Sequence, residues 1–207
     1  MSQVAYLNPG KREQTKVANR QAILDAAREV FGELGYDTAT VRDIIRRTGL
    51  AAGTFYNYYR SKEEVFAALA DDGARRFAPI LKGLRGKGYS FEDFVHKAIS
   101  AYFSFIAEEQ RVWIERRPAG EPHPHVHGET PEMAAVFAEI RDALAEDIAE
   151  RKGPFADPDY MAAACIAIAR DVGEKMLERR PVDTAGATEF VVTMILGGLK
   201  GLPKAQD

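Results

Sequence analysis

Apolar residues in this 207-residue chain recur at helical spacing almost throughout, and no run of four or more residues alternates as a strand would. That pattern predicts an all-α protein. Ile23, Ala27, Val30, Phe31 and Leu34 mark one face of a first helix, which Gly35 closes because glycine turns the chain there without a side-chain clash. Thr40, with Asp43 three residues on, caps a short second helix bearing Val41, Ile44, Ile45 and Thr48, and Gly49 ends it. Residues 52–59 suit a third helix of about two turns. Ser61-Lys62-Glu63-Glu64 reads as the start of a fourth helix, running toward Gly83. Further helices are predicted over 91–109, 132–152 and 157–180, with Pro181-Val182-Asp183 separating these from a last helix that ends near Gly201. A short piece around Trp113 precedes a proline-rich break from Pro118 to Pro131. The expected organisation is a flexible basic arm at 1–15, a three-helix helix-turn-helix domain at 16–62 and a larger helical domain at 63–207.

Composition narrows the class. Hydrophobic residues make up 46% of the chain, enough for a buried core. Cys165 is the single cysteine, so an intramolecular disulfide and a multi-cysteine zinc module are both excluded, and a reducing cytoplasm is the expected compartment. The stretches 161–169 and 190–199 are too short or too polar to span a bilayer, and no membrane partner is expected. Charge is divided unevenly. Residues 1–62 hold ten Lys/Arg against six Asp/Glu, a net of +4, while the rest holds 18 against 25, a net of −7, which together give −3. Such asymmetry points one end of the chain at a polyanion.

Helix, glycine turn, helix over 40–59 is the spacing of a helix-turn-helix, whose second helix enters the DNA major groove while the first braces the backbone. Gly53 and Thr54 are small enough for close approach to base edges, and Tyr56, Asn57 and Tyr58 carry groups that reach phosphates or bases. Phe55 and Tyr59, four apart, are expected to pack inward while Tyr56 and Tyr58 face out. Lys62, in the first turn of the fourth helix, is expected to clamp phosphate with the positive end of that helix.

These residues resemble the TetR/AcrR family of transcriptional regulators. The likeness runs through Ile23-Leu24-Asp25-Ala26-Ala27, Gly35-Tyr36, Thr40-Val41-Arg42-Asp43-Ile44-Ile45, Thr48-Gly49-Leu50, Gly53-Thr54-Phe55-Tyr56-Asn57-Tyr58-Tyr59 and Ser61-Lys62-Glu63-Glu64-Val65-Phe66. It covers roughly residues 16–70. The resemblance implies a dimeric one-component repressor with no cofactor, released from a palindromic double-stranded DNA operator by a small-molecule effector. Thr40 and Arg42 would brace the backbone, Thr54 and Asn57 would face bases, and Tyr56, Tyr58 and Lys62 would hold phosphates. With Ala52 and Gly53 these complete the candidate DNA-contacting set. Two positions depart from the family pattern: Ala51 stands where a capping serine is usual, and Ala52 where a basic residue is frequent. Thr48 replaces the usual alanine.

The remaining two-thirds suggest an effector-binding and homodimerising domain. Tyr102, Trp113, Phe137 and Arg170 are the candidate effector contacts, because pockets combine aromatic walls with a few placed polar groups. Met161, Ala164, Ile168, Val172 and Met176, with Phe190, Val191, Met194, Ile195 and Leu199, offer apolar faces for a four-helix dimer bundle. His123, His125 and His127, near Glu121 and Glu129, have ligand chemistry for a zinc-type site, but the intervening prolines splay them and no metal is assigned. No phosphate loop, nucleophile elbow, nicotinamide-type glycine turn or HExxH helix is present, so the chain is not expected to be an enzyme. The competing classes are a metal-binding helical enzyme resting on that histidine segment and a helical interaction module that binds no DNA.

Overall fold

The computed structural model describes residues 10–85, 87–116, 131–151 and 157–201. Among these, every regular element is an α-helix: α1 Lys11–Leu34, α2 Val41–Thr48, α3 Ala52–Tyr56, α4 Lys62–Arg85, α5 Phe91–Glu109, α6 Arg111–Arg116, α7 Pro131–Arg151, α8 Pro158–Leu177 and α9 Thr184–Gly201. The chain divides into two units, Met1–Leu69 and Ala70–Asp207. The boundary falls inside α4, seven residues beyond the end expected for the DNA-binding domain. The reason is burial: Val65 and Ala68 lie in the core of the first unit, so the opening turns of α4 belong to it.

The first unit closes around Ile23, Leu24, Ala27, Val30, Ile44, Phe55 and Val65, all shielded from solvent. Phe31, Tyr36 and Phe66 stack beside this core with ring centroids 4.8–5.7 Å apart. Leu34, expected on the same face, is instead exposed at the end of α1. Helix α1 begins at Lys11, within the stretch expected as a flexible arm, so residues 11–15 continue the helix rather than forming a separate tail.

In the second unit α5 packs on α8 and α9, and α7 packs on α8. Phe91, Val95, Ile99 and Phe103 recur every four residues along α5 and face a core shared with Trp113, Leu144, Ala162, Ala169, Met176, Val191 and Ile195. Gly173 lets α5 and α8 approach closely, since a Cβ there would meet Ile106 Cδ1 at 2.8 Å and Phe103 Cε1 at 3.2 Å. The ten apolar positions expected to form a dimer face do not share one environment: Met161, Ile168, Val172 and Leu199 are partly buried against the core and Ala164 is exposed. Met176, Val191 and Ile195 are core residues of this unit, whereas Phe190 and Met194 are exposed. His123, His125 and His127 lie outside the described residues, and no group of three or more metal-ligating side chains occurs among the described ones.

Candidate nucleic-acid interface

Helix α2 is set at both ends by its own sequence. The Thr40 hydroxyl accepts from Asp43 N at 3.3 Å and donates to Asp43 Oδ2 at 2.5 Å, while Thr40 N donates to the same oxygen at 3.0 Å. This reciprocal cap satisfies N–H groups that the first turn leaves open. The Thr40 hydroxyl, followed by the Thr40 backbone N–H, holds the Asp43 carboxyl below the ordinary carboxylate range. At the other end Gly49 takes φ +67°. The Thr48 hydroxyl is used within its own turn, donating to Ile45 O at 2.8 Å and accepting from Leu50 N at 3.0 Å. Arg47 then fastens α2 to α1 through Glu29 (2.7 Å) and Glu33 (2.6 Å).

Phe55 and Tyr59 pack inward as expected, whereas Tyr58, expected to face out with Tyr56, packs partly buried against the core of the unit. Phe55 is fully buried and Tyr59 nearly so, while Tyr56 is 56% exposed. Ala52, Gly53 and Asn57 are exposed, and Thr54 and Tyr58 are half-buried. The helix ends at Tyr56, not Tyr59. Beyond it the chain tightens, with Asn57 N donating to Thr54 O and Tyr58 N to Phe55 O, the three-residue bonding of a 3₁₀ turn. Ala51 precedes the helix in extended conformation and offers no side-chain cap, as its identity dictates.

From α2 to the start of α4 the basic side chains fall into two groups. Arg42 and Arg46 are exposed one turn apart on α2, and Arg60 is exposed just before α4. Arg46 and Arg60 are not among the residues expected from the sequence, although the four-residue spacing of Arg42 and Arg46 is a signal for the former. Arg47 and Lys62 are engaged inside the unit. The Lys62 ammonium donates to the carbonyls of Tyr36 (2.9 Å), Asp37 (3.2 Å) and Ala39 (3.3 Å), and lies 4.6 Å from the centre of the Tyr36 ring.

The four candidate effector contacts occupy different environments in the second unit. Trp113 is buried, with the Arg180 guanidinium 5.7 Å from its ring centre. Phe137 is partly buried against the same core. Tyr102 packs between Phe77 and Phe103, and burial pushes its phenol up to about 12, with Glu174 adding to the shift and Arg170 opposing it. Arg170 is exposed and donates to the neighbouring Asp171 at 2.9 Å.

Residues 23–69 match the family model of bacterial regulatory proteins of the tetR family. An HTH-type transcriptional repressor of Mycobacterium tuberculosis, Rv1474c, is 39% identical over 72 residues, 35% of this chain and 38% of that protein. The match therefore spans well under half the length of that curated relative. The HTH-type transcriptional regulator YdgC of Bacillus subtilis is similar end to end, 26% identical over 92% of this chain and 96% of its own. In fold, the crystal structure of the regulator FadR from Bacillus subtilis in complex with stearoyl-CoA superposes with TM-score 0.66 at 18% identity, covering 86% of this chain and 98% of that one.

Proposed function

Because this chain belongs to the TetR family of bacterial regulatory proteins, a family of DNA-binding transcriptional regulators and not of enzymes, we propose that it is a cytoplasmic homodimeric repressor. It holds a palindromic operator until a small-molecule effector enters the second unit. The observation that carries the reading is the construction of α3: buried Phe55 and Tyr59 fix the helix from beneath, leaving Gly53, Tyr56 and Asn57 toward solvent. A helix that served only the core would not need that outer surface. Thr54 and Asn57 read base edges, Ala52 and Gly53 allow close approach, and Thr40, Arg42, Tyr56 and Tyr58 position the phosphates. One such helix makes too small a contact for specific binding, so two copies occupy half-sites about 34–36 Å apart.

Release requires an effector that prefers one of two states of the protein. Tyr102, Trp113, Phe137 and Arg170 belong to the unit that would receive it. The stearoyl-CoA bound by FadR makes an apolar-bodied, anionic molecule the first class to test. Helix α4, shared by both units, is the covalent route between them.

The test is selection of duplexes from a random DNA pool by the full chain, followed by footprinting. A two-fold sequence with half-sites one helical turn apart is expected, and failure to enrich any sequence overturns the proposal. Thr54→Val should then change the selected bases more than the overall affinity. Stearoyl-CoA added to the bound complex tests the effector class separately, by loss of DNA-bound anisotropy.

A further inference from the structure

Lys62 carries a positive charge beside the recognition elements, and a lysine there would ordinarily be assigned to phosphate. Its geometry assigns it elsewhere. An ammonium has three N–H donors, and all three are directed at carbonyl oxygens of the turn between α1 and α2: Tyr36, Asp37 and Ala39. The Tyr36 ring lies under the same nitrogen at 4.6 Å, adding a cation–π contact. Binding phosphate through Nζ would break at least one of these bonds and leave a carbonyl of the turn without its donor.

The neighbouring residue completes the grip. The Tyr36 hydroxyl donates to Glu63 Oε1 at 3.3 Å, so consecutive residues at the start of α4 hold the two ends of one tyrosine. The turn they hold leads directly into Thr40, the cap of α2. Ala39, one of the three acceptors, is itself buried in the core of the unit. Of the neighbouring cations, Arg42, Arg46 and Arg60 are exposed, which leaves side chains other than Lys62 available to meet phosphate.

We propose that Lys62 is a positioning residue: its ammonium ties the first turn of α4 to the α1–α2 turn, and so fixes where α2 starts relative to the DNA, without contacting phosphate. The proposal rests on the DNA-binding function proposed for this chain and differs from the phosphate clamp expected of this lysine. It predicts that Lys62 governs specific binding without contributing a counterion. Replacing a cation that does touch phosphate has the opposite signature: affinity falls for every sequence, and the salt slope drops by about 0.9 for each phosphate no longer neutralised.

The experiment compares the full-length wild type with Lys62→Met, Lys62→Arg and Arg42→Gln. Each binds its selected duplex and a scrambled duplex across a series of potassium chloride concentrations, with folding checked by circular dichroism. Lys62→Met should lose about tenfold in affinity for the selected duplex, keep its affinity for the scrambled one and leave the salt slope unchanged. Arg42→Gln should lower the slope. Lys62→Arg should not restore specificity, because a planar guanidinium does not match three carbonyls converging on one point. A slope lowered in Lys62→Met as in Arg42→Gln, or full rescue by Lys62→Arg, overturns the proposal. Hydrogen exchange of the free protein supplies a measurement that needs no DNA: amides of residues 36–44 should exchange faster in Lys62→Met, and unchanged exchange also overturns it. If the wild type selects no duplex, the DNA-binding reading fails while the exchange result still decides the tie.

Discussion

At the scale of single residues, the start of α2 depends on a short polar exchange between Thr40 and Asp43. Removing the hydroxyl in Thr40→Ala takes away the side-chain acceptor of the Asp43 N–H and a donor to the Asp43 carboxylate, and such caps are typically worth about 1 kcal/mol. Urea unfolding of the two proteins at pH 7 checks that figure. The partner carboxylate gives the same contact a pH dependence. Because Asp43 is held below its ordinary pKa by Thr40, the folded state favours the ionised form. Its contribution to stability is present above the unfolded carboxylate pKa of about 3.9 and is lost as pH falls through the lower folded value. The stability difference between wild type and Asp43→Asn should therefore be constant above about pH 5 and shrink below about pH 4. A difference that persists unchanged at pH 3 would mean that the Asp43 charge is not what stabilises the cap.

At the scale of elements, Gly49 terminates α2 with φ +67°, and no neighbouring atom lies within 4 Å of where a Cβ would sit. Any penalty for a side chain at this position comes from the backbone alone. Gly49→Ala should cost about 1 kcal/mol, and Gly49→Asn less, since asparagine tolerates the left-handed region better. Equal thermal shifts for the two would contradict that account. This helix end was legible in the sequence because one residue type supplies the conformation. So was the split between Phe55 and Tyr59 beneath α3 and Tyr56 above it, because a spacing of four places side chains on one helical face. The end of α3 was not legible, because nothing at Asn57 or Tyr58 forbids helix. The role of Lys62 was hidden for a related reason. Its sequence position gives its charge and its place on α4, but its acceptors lie 23–26 residues away in the α1–α2 turn. The unequal burial of the apolar positions on α8 and α9 was hidden similarly, since α9 carries apolar residues on both sides and only packing against α5 and α8 shows which are used.

At the scale of the whole molecule, the residue on α9 that best tests the proposed assembly is Phe190. Its ring is 56% exposed and Met194, one turn on, is 47% exposed. Glycines at 197 and 198 continue this side of the helix with open space above them. The inner face of the same helix, with Val191, Val192 and Ile195, is already buried. Phe190 and Met194 thus keep apolar surface exposed beside Glu189 and Thr193, and exposed apolar surface of this kind marks an association site. A second copy covers it in the proposed dimer, each α9 face meeting its symmetry mate. The charge partition agrees with this arrangement. In the proposed complex the +4 segment at residues 1–62 is the part that meets phosphate, and the −7 remainder is repelled by it. Phe190→Glu combined with Met194→Glu places four like charges in the proposed contact. Sedimentation velocity should show the wild-type mass as twice that of the double variant. Affinity for the selected two-fold duplex should fall at least tenfold, because the second half-site no longer binds as an intramolecular step. Affinity for an isolated half-site should be unchanged, because α3 is untouched. A wild type that sediments as a monomer, or a double variant that stays dimeric and binds as before, would remove α9 from the interface and with it the account of how two recognition helices reach one operator.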